Sequence, residues 1–375
     1  MIIAALNETN AQEARVAMTP NAVKHYLKLG LQVMCEKDAG QASGFHDKDY
    51  EKAGAVILDN RKALLGKTTL LVCVNEPKPQ QIKGLAEGSL LIAPIDKDEN
   101  SPLLKWCCQS AVSAFSMNLI PRISRAQSMD SLSSQASLAG YRAIIEAVSH
   151  FKRAIPMMMT AAGMIHPAKV LILGAGVAGL QAIATAKRLG AVVYAFDVRR
   201  AAKEQVESLG AEFIEVSTEN DNETSTGYAS ETSEEYQRLQ AALIDEYARL
   251  CDIVVCTALI PGRKAPILLT KDTVLAMKPG SVIVDLATSR GGNCALSQRD
   301  KTIKEGEITL IGHSNLASLI PATASELYAN NLVHLVSHII TNQSEIRFDE
   351  EDEIIRQALL CSKGNYLPFQ TTKEV

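Results

Sequence analysis

The chain carries no basic excess: 38 Lys and Arg against 42 Asp and Glu leave a formal net charge of −4 over 375 residues. A protein that neutralises nucleic-acid phosphates needs cationic surplus, so a nucleic-acid partner is excluded. Long hydrophobic runs are also missing. The nearest, 155–165 and 170–186, are short or broken by glycines and Gln181, whereas a membrane helix needs about 18 or more apolar residues. Any membrane role must therefore come through a partner. The opening MIIAALNETN lacks a basic n-region and turns polar at once, so no secretory signal is expected. The eight cysteines, Cys35, Cys73, Cys107, Cys108, Cys251, Cys256, Cys294 and Cys361, show no CxxC spacing; they read as reduced, structural residues of a cytosolic core. Finally, no histidine occurs between His46 and His150.

What is present is an ordinary globular composition, 47% hydrophobic and 21% charged, in a chain long enough for two domains at about 150 residues each. Residues 169–197 read KVLILGAGVAGLQAIATAKRLGAVVYAFD: an apolar strand, a glycine turn, a helix, and a second strand ending on a carboxylate. This is a dinucleotide-binding fingerprint in its proper context. Gly174 allows the tight turn, Gly176 lets a pyrophosphate approach bare backbone, and Gly179 lets helix and strand pack closely. The helix start presents unpaired N–H groups to the diphosphate. Asp197 follows Gly174 by 23 residues, near the roughly 20 at which an acid reaches the adenosine ribose. Its carboxylate accepts from a 2′-hydroxyl and repels a 2′-phosphate, so the expected cofactor is NAD(H). Arg199 and Arg200 stand next to it, where a guanidinium either pairs with a 2′-phosphate or faces solvent.

Before the fingerprint, β-like runs (MIIAAL, LQVMCEK, TTLLVCV, SLLIAPI, VSAFSM) alternate with helical ones, the first opened by Thr19 as N-cap and Pro20. A second series follows: EFIEV, a helix at about 234–250, DIVVCTALI, SVIVDLA and ITLIGH. Alternation of this kind predicts an α/β protein of two Rossmann-like, doubly wound parallel-sheet domains around a cleft. The expected boundaries are 1–132 plus about 313–375 for the first domain and 133–312 for the NAD(H)-binding one. A helix near 133–151 connects them, and another runs over roughly 323–340. Residues 216–236 are too polar to bury much surface; a lid contacting through Tyr228 and simple disorder are both open readings. The run 349–353 is a solvated acidic edge.

Residues 121–135, PRISRAQSMDSLSSQ, are unusually polar. Helix capping by Asp130 or Ser131 accounts for some of this and leaves Arg122, Arg125 and Gln127 without a purpose, in a place where a ligand's reactive end is expected. The segments RISRAQSMDSLSSQ, PMMMTAAG, GAGVAGLQAIATAKRLGA, KEQVESLGAEF, TALIPG, MKPGSVIVDLA and GGNC together resemble the NAD(H)-binding subunit of proton-translocating nicotinamide nucleotide transhydrogenase, from about residue 5 to at least 340. The resemblance implies a homodimer, cytoplasmic and peripherally attached to the inner membrane, that docks on a membrane-spanning proton-channel subunit and on a subunit binding NADP(H). It implies that Arg122, Gln127, Asp130 and Ser133 surround the nicotinamide end of NADH. Gly174, Gly176, Val177 and Gly179 match the pyrophosphate turn and Asp197 the ribose acid. Thr257, Ala258, Leu259 and Gly262, within TALIPG, match a loop beside the nicotinamide ribose, and Tyr228 a tyrosine of a mobile loop.

A thinner resemblance runs to alanine dehydrogenase, through the ExRVAxTP start seen as 13–20. Oxidising an amine releases a proton and needs an acid/base group, commonly His or Lys; hydride exchange between two nicotinamide rings needs only orientation and exclusion of water. Alanine dehydrogenases carry lysine in a VKEP-like segment and histidine on the next strand. This chain has Asn75 in VNEP and no histidine in SLLIAPID. Arg15 remains, as a structural pair or a carboxylate clamp. An NAD(H)-binding sensor or scaffold without chemistry is the other alternative. His334 and His338 stand four apart on a predicted helix, a ligand spacing without the glutamate of HExxH, and read as helix-face residues.

Overall fold

The computed structural model describes residues 1–216, 234–260, 263–341 and 345–367, so Tyr228, Gly262 and most of the polar loop 216–236 lie outside it. The chain divides into two compact units, Met1–Gln135 with Ser318–Val375, and Ala136–Ala317.

In the first unit, β1 (Ile2–Ala5), β2 (Gln32–Glu36), β3 (Val56–Leu58), β4 (Leu70–Val72), β5 (Leu90–Ala93) and β6 (Ser113–Ser116) form a parallel sheet in the order β3-β2-β1-β4-β5-β6. Order reverses between β1 and β4, which makes the ends of those strands the place for a ligand in a doubly wound sheet. A hairpin of β7 (Met158–Thr160) and β8 (Gly163–Ile165) stands apart in the second unit. That unit's sheet follows with β9 (Lys169–Leu173), β10 (Val192–Phe196), β11 (Glu212–Phe213), β12 (Ile253–Cys256), β13 (Val282–Asp285), β14 (Thr302–Glu305) and β15 (Ile308–Ile311), in the order β11-β10-β9-β12-β13-β15-β14. Only β14 runs antiparallel. Back in the first unit, β16 (Leu359–Ser362) and β17 (Asn365–Tyr366) extend its sheet antiparallel beside β6.

The central strands are apolar without alternation because both of their faces are covered. On β9, Val170 and Ile172 enter one core while Leu171 and Leu173 enter the other. On β4, Leu70 and Val72 face one side and Leu71 the other. Thr19 caps the helix Pro20–Lys28, accepting from Ala22 N at 3.3 Å, as Pro at the first helical position predicts. The helix Glu234–Leu250 starts and ends where its sequence pattern places it.

Other features departed from the sequence reading. The strand β3, the antiparallel β14 and the β7–β8 hairpin carry too little periodicity to be found. The hairpin's Met158, Met159, Met164 and Ile165 are exposed, so burial leaves no pattern on them. All eight cysteines are free, and all but Cys108 are buried.

Candidate functional site

Gly174 ends β9 in the left-handed region, φ +102°, and a Cβ there would lie 2.7 Å from Thr257 Oγ1. Only glycine accepts that backbone without strain. Five residues on, a Cβ at Gly179 would lie 1.8 Å from the Gly174 carbonyl oxygen, so the helix Val177–Arg188 packs against the turn with backbone touching backbone. A further helical glycine, Gly140, likewise abuts the Ala178 carbonyl, where a Cβ would stand 2.0 Å away. Gly176 differs. A Cβ there would meet nothing in the protein, and as N-cap it offers no side-chain acceptor. The first N–H groups of the helix thus look out past a bare backbone, with Val177 exposed beside them. This cradle fits a diphosphate.

Asp197, at the end of β10, accepts from Ala175 N at 2.7 Å, which lays its carboxylate against the glycine turn. Arg199 folds onto it, with Nε 2.9 Å from Oδ1 and Nη2 3.0 Å from Oδ2. Burial pushes this carboxyl up, but the Arg199 guanidinium and the N–H groups of Arg199 and Ala175 outweigh it and hold the pKa below the usual carboxylate range. An arginine drawn onto the acid in this way neutralises it rather than standing open for a 2′-phosphate, an arrangement the sequence pattern did not separate from its two alternatives.

Across the switch point, Thr257 donates its hydroxyl to the Gly174 carbonyl at 2.9 Å. Ala258 is held by Asn293, a fully buried residue: its Oδ1 accepts from Ala258 N at 3.1 Å, and its Nδ2 donates to Ala258 O at 2.9 Å and Pro266 O at 2.8 Å. Asn293 is in turn fixed by Asp285, whose Oδ2 accepts from Asn293 N at 2.9 Å and Cys294 N at 3.0 Å. Burial pushes the Asp285 carboxyl up against those hydrogen bonds. Leu259 is exposed. The sequence singled out the loop but missed these two supports; the only signal was GGNC following VIVDLA, and glycines beside a small polar residue read as an ordinary turn.

In the first unit, Ser124–Met129 forms a 3₁₀ turn, and the long helix Ser131–His150 follows it. Asp130 caps that helix: Oδ1 accepts from Ser133 N at 2.9 Å and Oδ2 from Ser133 Oγ at 2.6 Å. Ala126 and Met129 are buried anchors, while Arg122 and Gln127 are exposed and make no side-chain hydrogen bond among the described residues. Arg125, grouped with them by sequence, pairs instead with Asp352 at 2.8 Å. His338 bonds to the same Asp352, which makes it a helix-face residue; no group of His, Cys, Asp or Glu among the described residues could hold a metal ion.

Near the ends of β1 and β4 lies a cavity of about 460 Å³ lined by residues that include Glu8, Arg61 and Asn75. Asn75 Nδ2 bridges Glu8 Oε2 at 3.0 Å and Glu13 Oε2 at 3.1 Å. Arg15 is committed to Glu13 through Nε and Nη2, both at 2.7 Å, and to Gln135 through Nη1 at 2.8 Å, so it is a structural pair. Glu8, overlooked in the sequence search for His and Lys, has its pKa raised by burial; its other oxygen accepts from Val74 N at 2.6 Å.

Two doubly wound units, one bearing a complete pyrophosphate turn with its ribose acid, define a dinucleotide-binding protein of the dehydrogenase type. Matches to the N-terminal domain of alanine dehydrogenase/PNT over residues 4–139 and to its C-terminal domain over 143–368 show that the chain belongs to the alanine dehydrogenase/PNT family. It is 44% identical over 372 residues to an NAD(P) transhydrogenase subunit alpha chain of Rhodospirillum rubrum, covering 97% of each chain. A solved transhydrogenase from Sinorhizobium meliloti superposes with a TM-score of 0.85 at 42% identity over 98% of this chain and 99% of that one. The alanine dehydrogenase of Mycolicibacterium smegmatis is more distant, 26% identical over 90% of this chain and 86% of that enzyme. Among the described residues no helix is long and apolar enough to cross a membrane.

Proposed function

We propose that this chain is the NAD(H)-binding component of a proton-translocating transhydrogenase, working as a homodimer attached to the inner membrane through its partners. Bound NADH supplies the hydride, and NADP⁺ carried by a partner subunit accepts it directly. The chain's own role is to bind, orient and keep water away. Gly176 and the helix start at Val177 hold the diphosphate, and Asp197 accepts from the adenosine ribose. Thr257, Ala258 and Leu259, with Gly262, flank the nicotinamide ribose. Arg122 and Gln127, whose polar ends are unspent within the protein, take the carboxamide and ribose together with Asp130 and Ser133. Proton movement belongs to a membrane-spanning subunit.

The observation that carries this reading is the bridging of Glu8 and Glu13 by Asn75. Where an amine-oxidising relative needs a lysine, a neutral amide is consumed by two carboxylates, and Arg15 beside it is consumed by Glu13 and Gln135. No free proton carrier or carboxylate clamp is left there for an amino acid.

The test is reconstitution. The isolated chain should bind NADH and neither form NADH from L-alanine and NAD⁺ nor turn over until an NADP(H)-binding subunit is added. Gln127→Asn should leave NADH affinity nearly intact and lower the transhydrogenation rate about tenfold or more. Alanine oxidation by the chain alone, or NADPH occupying the glycine turn in preference to NADH, overturns the proposal. Binding without transhydrogenation under any partner supports a sensor instead.

A further inference from the structure

The helix Pro321–Ile339 buries a face of Ala324, Ser325, Tyr328, Ala329, Asn331, Leu332, Leu335, Val336 and Ile339. Most of that face packs as an apolar stripe against the core beneath the first sheet. Three members are polar, and they recur three apart. Burying a polar group is costly unless it is partnered, so each must be accounted for by what it reaches. Ser325 Oγ accepts from Val16 N at 2.9 Å, in the segment after β1. Tyr328 donates its hydroxyl to the Cys73 carbonyl at 2.8 Å, immediately after β4. Asn331, 7% exposed, donates Nδ2 to the Ser128 carbonyl at 2.8 Å and accepts from Ser134 Oγ at 2.8 Å, in the segment after β6. One helix therefore fastens three loops at the carboxyl edge of the sheet, one by each polar residue.

We infer that Asn331 is the positioning residue of the segment bearing Gln127, Asp130 and Ser133. Its single amide clips both flanks: Ser128 follows Gln127, and Ser134 follows Ser133. Across these two bonds it sets the pitch between the 3₁₀ turn Ser124–Met129 and the helix Ser131–His150, and hence where the Gln127 side chain points. The same helix reaches this segment a second time, since His338 bonds to Asp352 and Asp352 pairs with Arg125. A leucine at 331 would serve the apolar stripe as well; only the asparagine can hold a carbonyl and a hydroxyl at once. This role rests on the function proposed above for Gln127.

The experiment uses the full chain with Asn331→Ala, the isosteric Asn331→Asp, and Ser134→Ala, the last removing one hydroxyl should the first two fail to fold. Three quantities are read: NADH affinity of the chain alone, kcat and KM for NADH in the reconstituted complex, and amide hydrogen exchange at 127–131. Asn331→Ala should keep NADH affinity within about twofold, because the glycine turn holds the diphosphate, and lower kcat about tenfold, the scale of a small misplacement of a reacting group. Exchange at 127–131 should quicken while that at 174–179 stays unchanged. Asn331→Asp retains the acceptor for Ser134 but faces the Ser128 carbonyl with a second acceptor, and should be as slow as the alanine variant. Wild-type kcat and exchange in Asn331→Asp reduce the residue to space-filling and overturn the inference; so does a loss of kcat matched by an equal loss of affinity. The exchange arm needs no turnover, so failure of the transhydrogenase reading, seen as an inert wild-type complex, is told apart from failure of the strut.

Discussion

Replacing Asn293 by alanine removes one acceptor and two donors from a site that water does not reach. Ala258 N, Ala258 O and Pro266 O lose their partners together, while the Asn293 backbone keeps its own bond to Asp285. A neutral hydrogen bond contributes about 1 kcal/mol net. Ala258 and Pro266 are half-buried, so some of the orphaned groups regain water, and the cost should come to about 2 kcal/mol rather than three full bonds. The segment Thr257–Leu259 then loses its anchor, and NADH affinity should fall about tenfold, equivalent to about 1.4 kcal/mol. Asn293→Asp is the sharper comparison. It keeps an acceptor for Ala258 N, loses both donors, and sets a second carboxylate beside the buried Asp285, so it should cost more than alanine. Because the chain folds as two units, a single global transition is not a safe readout. The check is urea-dependent hydrogen exchange of β12 and β13 amides with a parallel NADH titration. A cost for alanine under about 0.5 kcal/mol, the level of an ordinary surface change, or an aspartate variant as stable as wild type, would refute the reasoning.

Two glycines of the turn should respond in opposite ways. Gly179→Ala must push the helix off β9 and cost about 1–3 kcal/mol of stability, whereas Gly176→Ala meets nothing in the protein and should leave the melting temperature unchanged while weakening NADH binding; equal behaviour of the pair in thermal unfolding argues against the packing account. Asp197→Asn should weaken NADH binding by roughly tenfold or more through loss of a charged acceptor and narrow its preference over NADPH, as read by competitive titration. The same substitution tests a pH effect. The folded-state pKa of Asp197 lies below its ordinary value of 3.8, so its carboxylate adds stability above that pH and the contribution is lost as pH falls below it. Acid unfolding of Asp197→Asn should therefore be shallower over that window; an unchanged acid limb removes Asp197 from the balance.

Most of the chain's architecture is decided by patterns that local physics writes into sequence. Continuous apolar runs such as VLIL and IVVC can only be strands covered on both faces, and a helix such as Glu234–Leu250 shows its period directly. The glycine turn was legible because a positive φ at Gly174 and a contact with no room for a Cβ at Gly179 each permit one residue type. Asp197 was legible by distance along the chain alone. By contrast, residues that act by reaching a distant loop leave no periodic trace. Asn293, Asp285 and Asn331 look like any small polar residue until the fold brings Ala258, Cys294 or Ser128 to them.

The same division separates what each level determined. Sequence by itself determined that two doubly wound α/β units were needed, that one would cradle a diphosphate, and that histidine and lysine were lacking where amine oxidation would use them, because each of these follows from residue type and spacing. Only the tertiary structure decided what the shared polar residues do. It turned Arg15 into a partner of Glu13, Asn75 into a bridge between two acids, Arg125 into a partner of Asp352, and Arg199 into a clamp on Asp197, while leaving the side chains of Arg122 and Gln127 exposed and unspent. A side chain's partner is set by through-space distances of a few ångströms between segments far apart in the chain, and no local pattern encodes them.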